Sequence, residues 1–252
     1  MTPLYLFVFM IGASIGSFLN VCIYRVPLKR SIVSPSSHCP DCDTPIRFYD
    51  NIPVLSFLIL RGRCRACGSR ISIQYVSVEI FNALGYIFLF RKFGLSPELI
   101  LYAILFSSLV VLSVIDLYYK ILPDIITLPG IIVGFIGSIA VLPVGFKSSL
   151  AGILIGAGLF YIIAVVSRGG MGGGDIKLIA MIGAFLGWIN VILTIMLASF
   201  LGAIVGIFMM ICFGKGRKYA IPFGPFLAVG GIISLFFSKA ILEWYLGTNL
   251  HY

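Results

Sequence analysis

The sequence predicts an all-α protein that crosses a membrane about eight times and carries a small zinc-binding loop domain. Three observations support this prediction. The chain of 252 residues is 60% hydrophobic and 11% charged, whereas soluble domains carry about 25% charged residues. Its mean hydropathy is +1.11, and its apolar residues form long uninterrupted runs. Four of its six cysteines stand in two closely spaced pairs inside the longest polar segment.

Apolar runs define the expected helices, because a helix needs about 20 residues to cross the hydrocarbon core. The first run has no basic residues before it and is too long for a typical signal peptide, so we interpret it as a retained span. A short run predicts an eighth helix, which can be accommodated only where protein surrounds it. The runs cover about 4–23, 75–91, 97–115, 124–146, 148–167, 176–188 (the short one), 190–213 and 223–245.

The distribution of basic residues predicts the orientation. If the N-terminus is outside, four loops face the cytoplasm and only Arg91, Lys92, Lys147 and Lys239 of the eighteen Lys and Arg residues face outward. The remaining fourteen are cytoplasmic, as the positive-inside rule requires. These cytoplasmic loops are 24–74, 116–123, 168–177 and 214–222.

The loop lengths suggest a domain organisation. We expect a first transmembrane helix over 1–23, a cytoplasmic domain over 24–74 and a transmembrane core over 75–252. The formal charge of +9 is explained by topology and by contact with membrane lipid. No run alternates basic and aromatic residues in the manner of a nucleic-acid groove, so we expect no nucleic-acid partner.

The loop over 24–74 contains "HCPDC" and, after twenty-one further residues, the second cysteine pair "CRAC". Two Cys-x-x-Cys pairs at this separation indicate a zinc site. Disulfides and a redox pair are the alternatives, but a reducing cytoplasm disfavours stable disulfides. Four thiolates leave no open coordination position, so the zinc is expected to be structural, with Arg63, Arg65 and Arg70 offsetting its charge. The candidate ligands are Cys39, Cys42, Cys64 and Cys67.

Three carboxylates lie at predicted membrane boundaries. Asp124 follows Pro123 and opens a helix, where capping of free N–H groups is the simplest interpretation. Asp116 ends a helix, where the helix dipole disfavours an acid, so a functional role is the better interpretation. Asp175 also begins a helix, but a cap does not require that five of the six preceding residues be glycine.

Asp116 and Asp175 are predicted to share the cytoplasmic face. Two carboxylates at one depth can share a proton, so that one activates water while the other donates a proton to a carbonyl oxygen. This is the chemistry of an aspartic protease. Glycine beside Asp175 would let an extended substrate peptide lie against the enzyme backbone.

Five motifs together resemble the bacterial prepilin peptidases. They are "GASIGSFLNVCIYRVP" (12–27), the paired Cys-x-x-Cys loop, "IDLYYKILPD" (115–124), "GMGGGDIK" (170–177) and "PFGPFLAVG" (222–230). These enzymes are the type IV prepilin leader peptidases of pilus, type II secretion and competence systems. The G-x-G-D tetrad is shared with other intramembrane aspartyl proteases. The resemblance runs from end to end in the family's order.

The resemblance implies an enzyme of the bacterial inner membrane with about eight helices and a cytoplasmic active site. It would cut type IV prepilin or pseudopilin precursors after a glycine. It would then methylate the new N-terminal amine with S-adenosylmethionine. The family's catalytic aspartates fall on Asp116 and Asp175, and its cysteines fall on the four named above.

The methyl-transfer site is less defined by sequence. The N-terminal region offers four polar candidates, of which the last two lie one turn apart and could equally form a packing pair inside the bundle. The candidates are Asn20, Arg25, Glu79 and Asn82.

Two other functions remain open from the residues alone. Acids in broken helices also line the ion paths of transporters, so a proton- or ion-coupled transporter is the main alternative. A zinc scaffold anchored by its helices is the second. Neither explains the glycine run before Asp175.

Overall fold

The computed structural model describes residues 2–167, 170–214 and 221–247. Within these residues the regular secondary structure is helical, which confirms the predicted fold class. The chain divides into two compact units, 1–95 and 96–252.

The first unit is a helix pair with a long loop between its members. Its helices are α1 (Thr2–Arg25) and α3 (Ile73–Phe93), and the loop contains a 3₁₀ turn (Phe48–Asn51) and the short helix α2 (Leu55–Ile59). Both α1 and α3 are long and apolar enough to cross a membrane. The boundaries expected for a 24–74 domain stay a prediction.

Small residues let α1 and α3 pack closely. A methyl group added at Gly12 would lie 2.8 Å from the Cα of Ala83, and one added at Gly16 would lie 2.7 Å from the Cα of Glu79. The side chain of Asn82 also donates a hydrogen bond of 2.8 Å to the carbonyl of Gly12. Close backbone approach and interhelical hydrogen bonds are the forces that join helices in lipid, where a hydrophobic drive is absent.

The second unit is a bundle of five helices. The bundle helices are α4 (Pro97–Tyr119), α5 (Asp124–Ala140), α6 (Gly145–Val166), α7 (Gly173–Phe213) and α8 (Gly224–Leu246). Six helices of the described chain are long and apolar enough to span a membrane, namely α1, α3, α4, α6, α7 and α8, and α5 is a shorter apolar helix.

Helix α7 is broken at Gly187. The backbone there has φ 78° and ψ 175°, a conformation essentially restricted to glycine. A side chain at this position would also meet Ser148 and Val144 of the neighbouring segment. The break lies where the sequence predicts a short helix over 176–188 to end and a longer one to begin.

The first segment of α7 is the centre of the bundle. Its side chains at Leu178, Ile179, Met181, Ile182 and Phe185 are fully buried. It packs on α5, α6 and α8, because glycines on those helices admit its side chains and backbone. The short apolar run over 176–188 is therefore surrounded by other helices of the bundle, as predicted.

The boundary between α5 and α6 differs from the prediction. The sequence predicts one span over 124–146, whereas α5 ends at Ala140 and α6 already begins at Gly145. Pro143 explains the difference, because it disfavours helical geometry in the residue before it. Hydropathy alone does not detect this interruption.

The α1–α3 contact predicts a contrast between two glycine substitutions. Gly16→Ala must push α3 away and should destabilise the protein by roughly 1–3 kcal/mol. Gly158→Ala in α6 meets nothing within 4 Å and should be neutral or stabilising by up to about 1 kcal/mol. Thermal unfolding of both variants in detergent measures the contrast. Equal stability of the two variants would contradict the close packing described above.

Candidate active site and metal centre

Asp116 lies in the last turn of α4 and is buried, with 6% of its surface exposed. Its Oδ2 accepts a hydrogen bond of 2.9 Å from the backbone N–H of Gly224, the first residue of α8. The N-terminus of a helix offers free N–H groups and a positive dipole end. The start of α8 therefore compensates a carboxylate that its own helix end disfavours.

Asp175 is the third residue of α7 and lies in its first turn. Its N–H donates to the carbonyl of Gly172, and a methyl group added at Gly172 would lie 3.3 Å from Asp175 Oδ2. The carboxylate is partly buried and interacts electrostatically with that of Asp116. The two acids singled out from sequence are thus brought together at the meeting point of α4, α7 and α8.

Leu122, in the loop between α4 and α5, fits against the starts of two helices. A methyl group added at Gly174 would lie 2.8 Å from Leu122 Cβ, and one added at Gly224 would lie 3.2 Å from Leu122 Cδ2. The same methyl at Gly224 would lie only 2.6 Å from Asp116 Oδ2. Both positions therefore require glycine, because a side chain would collide with Leu122 or Asp116. The sequence motifs did not predict these contacts.

The glycines before Asp175 do different things. Gly174 admits Leu122, whereas a Cβ at Gly173 would meet no other part of the described chain within 4 Å. The open position fits the expectation that a peptide lies against the backbone here, and the packed position does not. Gly169, also in the predicted run, lies outside the described residues.

Asp124 does not cap α5 through its side chain, which corrects the capping interpretation. It is the first residue of the helix, the N-cap residue is Pro123, and no side-chain capping bond forms. Instead, both carboxylate oxygens of Asp124 accept hydrogen bonds of 2.7 Å from Lys177 Nζ. The pair joins the first turns of α5 and α7 and is substantially exposed.

The four cysteines form one cluster, with all four Sγ atoms within 4.8 Å of one another. Both pairs use the same turn. In each, the N–H of the first cysteine bonds to the carbonyl five residues later, and its own carbonyl accepts from the residue four later. That fourth residue, Asp43 or Gly68, has a positive φ.

The geometry fits zinc. In a tetrahedron with 2.3 Å Zn–S bonds the sulfur atoms lie about 3.8 Å apart, and the Sγ atoms of Cys39 and Cys67 are 3.9 Å apart. Ser69 Oγ lies 3.6 Å from the first of these atoms and 3.1 Å from the second. Hydrogen bonding to Ser69 lowers the pKa of both thiols, that of Cys39 to about 6, which favours the thiolates that bind metal.

One of the arginines expected to offset the cluster's charge is engaged elsewhere. Arg65 forms a two-pronged ion pair with Asp50, in which Nε and Nη2 lie 2.6–3.1 Å from the carboxylate oxygens. Hydrogen bonding from Arg65 lowers the pKa of Asp50. The pair links the 3₁₀ turn to the second cysteine pair.

The polar candidates for the methyl-donor site mostly bind backbone. Asn20 and Asn82 donate to carbonyls across the α1–α3 contact, and Arg25 donates to the carbonyl of Ser31. Glu79 accepts a bond from a loop N–H. The Oδ1 atom of Asn20 is buried and has no hydrogen-bond partner among the described residues, so this atom remains available to a ligand.

Comparison with known proteins gives two matching family models. Residues 10–93 match the bacterial peptidase A24 N-terminal domain, and residues 103–207 match the type IV leader peptidase family. No solved structure gives a significant match.

Curated relatives from several bacteria carry the name prepilin leader peptidase/N-methyltransferase. The one from Legionella pneumophila is 33% identical over 97% of this chain and 95% of its own length. The one from Pseudomonas putida is 36% identical over 92% and 90%. The one from Myxococcus xanthus is 42% identical over 84% of this chain, and the match spans 65% of that longer relative.

The chain therefore belongs to the prepilin leader peptidase/N-methyltransferase family, the peptidase A24 family. The family and enzyme class predicted from the sequence motifs are confirmed. It is a multi-pass membrane protein of bacteria. The transporter and scaffold alternatives receive no support from these relatives.

The cysteine cluster predicts about one zinc ion per chain, as expected for a single four-cysteine site. Cys39→Ser and Cys64→Ser should each lose the metal and loosen the loop, because metal binding is coupled to folding. Elemental analysis of purified protein measures the content. Cys212→Ser, which changes a cysteine in α7 remote in sequence from the cluster, is the control and should keep its zinc. Full zinc retention in the quadruple serine variant would refute the site.

Proposed function

We propose that Asp116 and Asp175 are the catalytic pair of an aspartyl endopeptidase that removes the leader of type IV prepilin-like precursors. The observation that carries the proposal is the proximity of these two acids where three helix ends meet. Asp116 is fixed there by the Gly224 amide, and Asp175 interacts with it electrostatically. Such a pair can hold a single proton and act on a peptide bond.

The proposed reaction needs one ionised and one protonated carboxyl group. The ionised group takes a proton from water, whose oxygen attacks the scissile carbonyl carbon while the protonated group donates to the carbonyl oxygen. A tetrahedral diol results. The carboxyl group that took the proton from water then gives it to the amide nitrogen, and the C–N bond breaks. The carboxyl group that had donated its proton recovers one from a diol hydroxyl. The pair ends in its starting protonation state.

The exposed backbone around Gly173 supports a site for an extended substrate. Among the described residues, no other part of the chain lies within 4 Å of the place that a Cβ would occupy. A peptide strand can therefore approach the backbone beside Asp175. The names of the relatives indicate prepilins as substrates, and we propose pseudopilin precursors as well.

We propose that the active site faces the cytoplasm and that the N-terminus is outside. The distribution of Lys and Arg supports this orientation. The ends of α4 and α7 that carry the acids, and the start of α8, then lie at the cytoplasmic boundary of the inner membrane. The 24–74 domain is cytoplasmic in the same topology, where its thiols stay reduced and available to zinc.

We propose a structural role for that zinc and a separate site for methyl transfer. S-adenosylmethionine, when bound, supplies a methyl group to the amine freed by cleavage. Most of the polar groups between α1 and α3 bind the protein's own backbone, and the buried Asn20 Oδ1, which has no partner among the described residues, is the group that we propose contacts the cofactor.

Asparagine substitutions test the catalytic pair. Asp116→Asn and Asp175→Asn should each abolish cleavage of a prepilin peptide, because an amide cannot cycle a proton. The double variant should lose scarcely more activity than either single one, since the acids act as a unit. Mass spectrometry of the peptide detects loss of the leader and any added methyl group. Asp175→Asn should still methylate pre-cut pilin.

Asp124→Asn is the matched control for these variants. Its ion pair with Lys177 is exposed and contributes little, so activity should fall only modestly. Normal cleavage by Asp116→Asn together with an inactive Asp124→Asn would mean that the wrong carboxylate is assigned. Normal cleavage by both Asp116→Asn and Asp175→Asn would refute aspartyl-protease chemistry in this chain.

Gly224→Ala tests the contact that holds Asp116. The added methyl must displace a carboxylate oxygen only 2.6 Å away, and a shift of about 1 Å at a catalytic group costs on the order of 10²-fold in rate. We expect that loss in kcat, with KM little changed. Gly206→Ala, which meets nothing within 4 Å, should keep full activity. Equal activity of the two variants would show that the amide contact is dispensable.

A further inference from the structure

Helix α2 presents an apolar face that the described protein leaves uncovered. The side chains of Leu55, Leu58 and Ile59 are 53%, 63% and 73% exposed. Residues at i, i+3 and i+4 lie on one side of a helix. Ser56, by contrast, is buried and bonds to the loop backbone. The short helix is therefore one-sided, with its apolar face turned away from its own loop.

The beginning of α2 is held at a definite position along α3. The N–H of Val54 donates a hydrogen bond of 2.8 Å to Glu79 Oε2, and Glu79 is buried. The bond depends on a tight turn at Val54, with φ 64° and ψ −50°, closed by a bond from the Leu55 N–H to the Pro53 carbonyl. This is a strained turn for a β-branched residue. Such a conformation persists only where the surrounding contacts hold it, so the position of this N–H is well defined.

Where α3 spans the membrane, Glu79 lies within the bilayer and not at its surface. It is six residues into α3, which corresponds to about 9 Å along the helix axis. Helix α3 has 21 residues and is about 30 Å long, so its whole length is needed to cross the hydrocarbon core. A segment bonded to Glu79 therefore lies at the depth where the headgroups meet the acyl chains, and not in the water above the membrane.

Positive charge follows the apolar face directly. Arg61 and Arg63 are exposed, and within the described residues neither forms an ion pair with a carboxylate. The stretch from α2 to Arg63 contains no acidic residue. An apolar face bordered by arginines is complementary to a bilayer with anionic headgroups.

We propose that α2 is an interfacial anchor that binds lipid. Leu55, Leu58 and Ile59 enter the acyl region, and Arg61 and Arg63 bind anionic headgroups at the same membrane surface. Cys64 follows immediately, so the anchor holds the second cysteine pair at the bilayer. The lipid surface covers the face, and a docking surface for the apolar part of a substrate is the competing occupant that the experiment must exclude.

Tryptophan fluorescence of the full-length protein in phosphatidylethanolamine–phosphatidylglycerol liposomes tests the anchor. Leu58→Trp is placed in a background in which both native tryptophans, Trp188 and Trp244, are replaced by Phe. We expect blue-shifted emission that is quenched by lipid brominated near the headgroup end of its chains and little quenched by iodide. Ile59→Trp should behave in the same way. Ser36→Trp, at an exposed position of the same loop, should give the opposite result.

Strong iodide quenching of both Leu58→Trp and Ile59→Trp, at the level of Ser36→Trp, would overturn the proposal. If such exposed tryptophans became protected only when a prepilin peptide was added, the face would belong to the substrate, which would also overturn it. Zinc content of each variant confirms that the loop is folded.

The headgroup contact has its own test. In mixed liposomes, brominated phosphatidylglycerol should quench Leu58→Trp more strongly than brominated phosphatidylethanolamine at equal content. Arg61→Gln with Arg63→Gln should abolish this preference while quenching by brominated phosphatidylethanolamine remains. Equal quenching by the two lipids before the substitutions would contradict an anionic headgroup site.

Discussion

The packing of the second unit depends on one requirement. The buried carboxylate of Asp116 needs a hydrogen-bond donor, and the Gly224 amide supplies it. A carboxylate buried at the edge of an apolar bundle needs donors, and regular helices use their own N–H groups internally. Free N–H groups remain only at helix starts. Helix α8 therefore has to begin at Asp116, and it has to begin with glycine, because a Cβ would collide with the carboxylate oxygen.

The other features of the bundle follow from that meeting of helix ends. Asp175 reaches the same place because α7 also starts there, with Leu122 fitting against Gly174 and Gly224. The first segment of α7 must then descend through the centre of the bundle, where its apolar side chains are fully buried. The break at Gly187 lets the chain continue past this buried segment.

The first unit uses helix packing and loop contacts in a different way. Side-chain amides of α1 and α3 bind backbone across the contact, and Glu79 binds the loop at Val54. A carboxylate in a long apolar helix thereby fixes the start of a short apolar helix. The second cysteine pair follows this short helix in sequence, so its position depends on the same bond.

Much of this architecture could be predicted from sequence because the signals are local. The length of the apolar runs predicted the spans, and the spacing of the cysteine pairs predicted the cluster. Successive loops alternate between the two faces of the membrane, and this alternation predicted that Asp116 and Asp175 share one face. The contacts of Gly224 and Leu122 could not be predicted, because they join segments about 50 to 110 residues apart. Asp124 illustrates the same limit, since its local pattern favoured a cap and its long-range partner Lys177 prevailed.

The central claim, that Asp116 and Asp175 act together on a tetrahedral intermediate, is tested most directly by binding rather than by turnover. A prepilin peptide whose scissile amide is replaced by a hydroxyethylene group imitates the diol and cannot be cut. We expect the wild-type protein to bind it at least about 100-fold more tightly than Asp116→Asn or Asp175→Asn does, while an uncut substrate peptide binds all three alike. Equal affinity of the isostere for the wild-type protein and both variants would contradict the account.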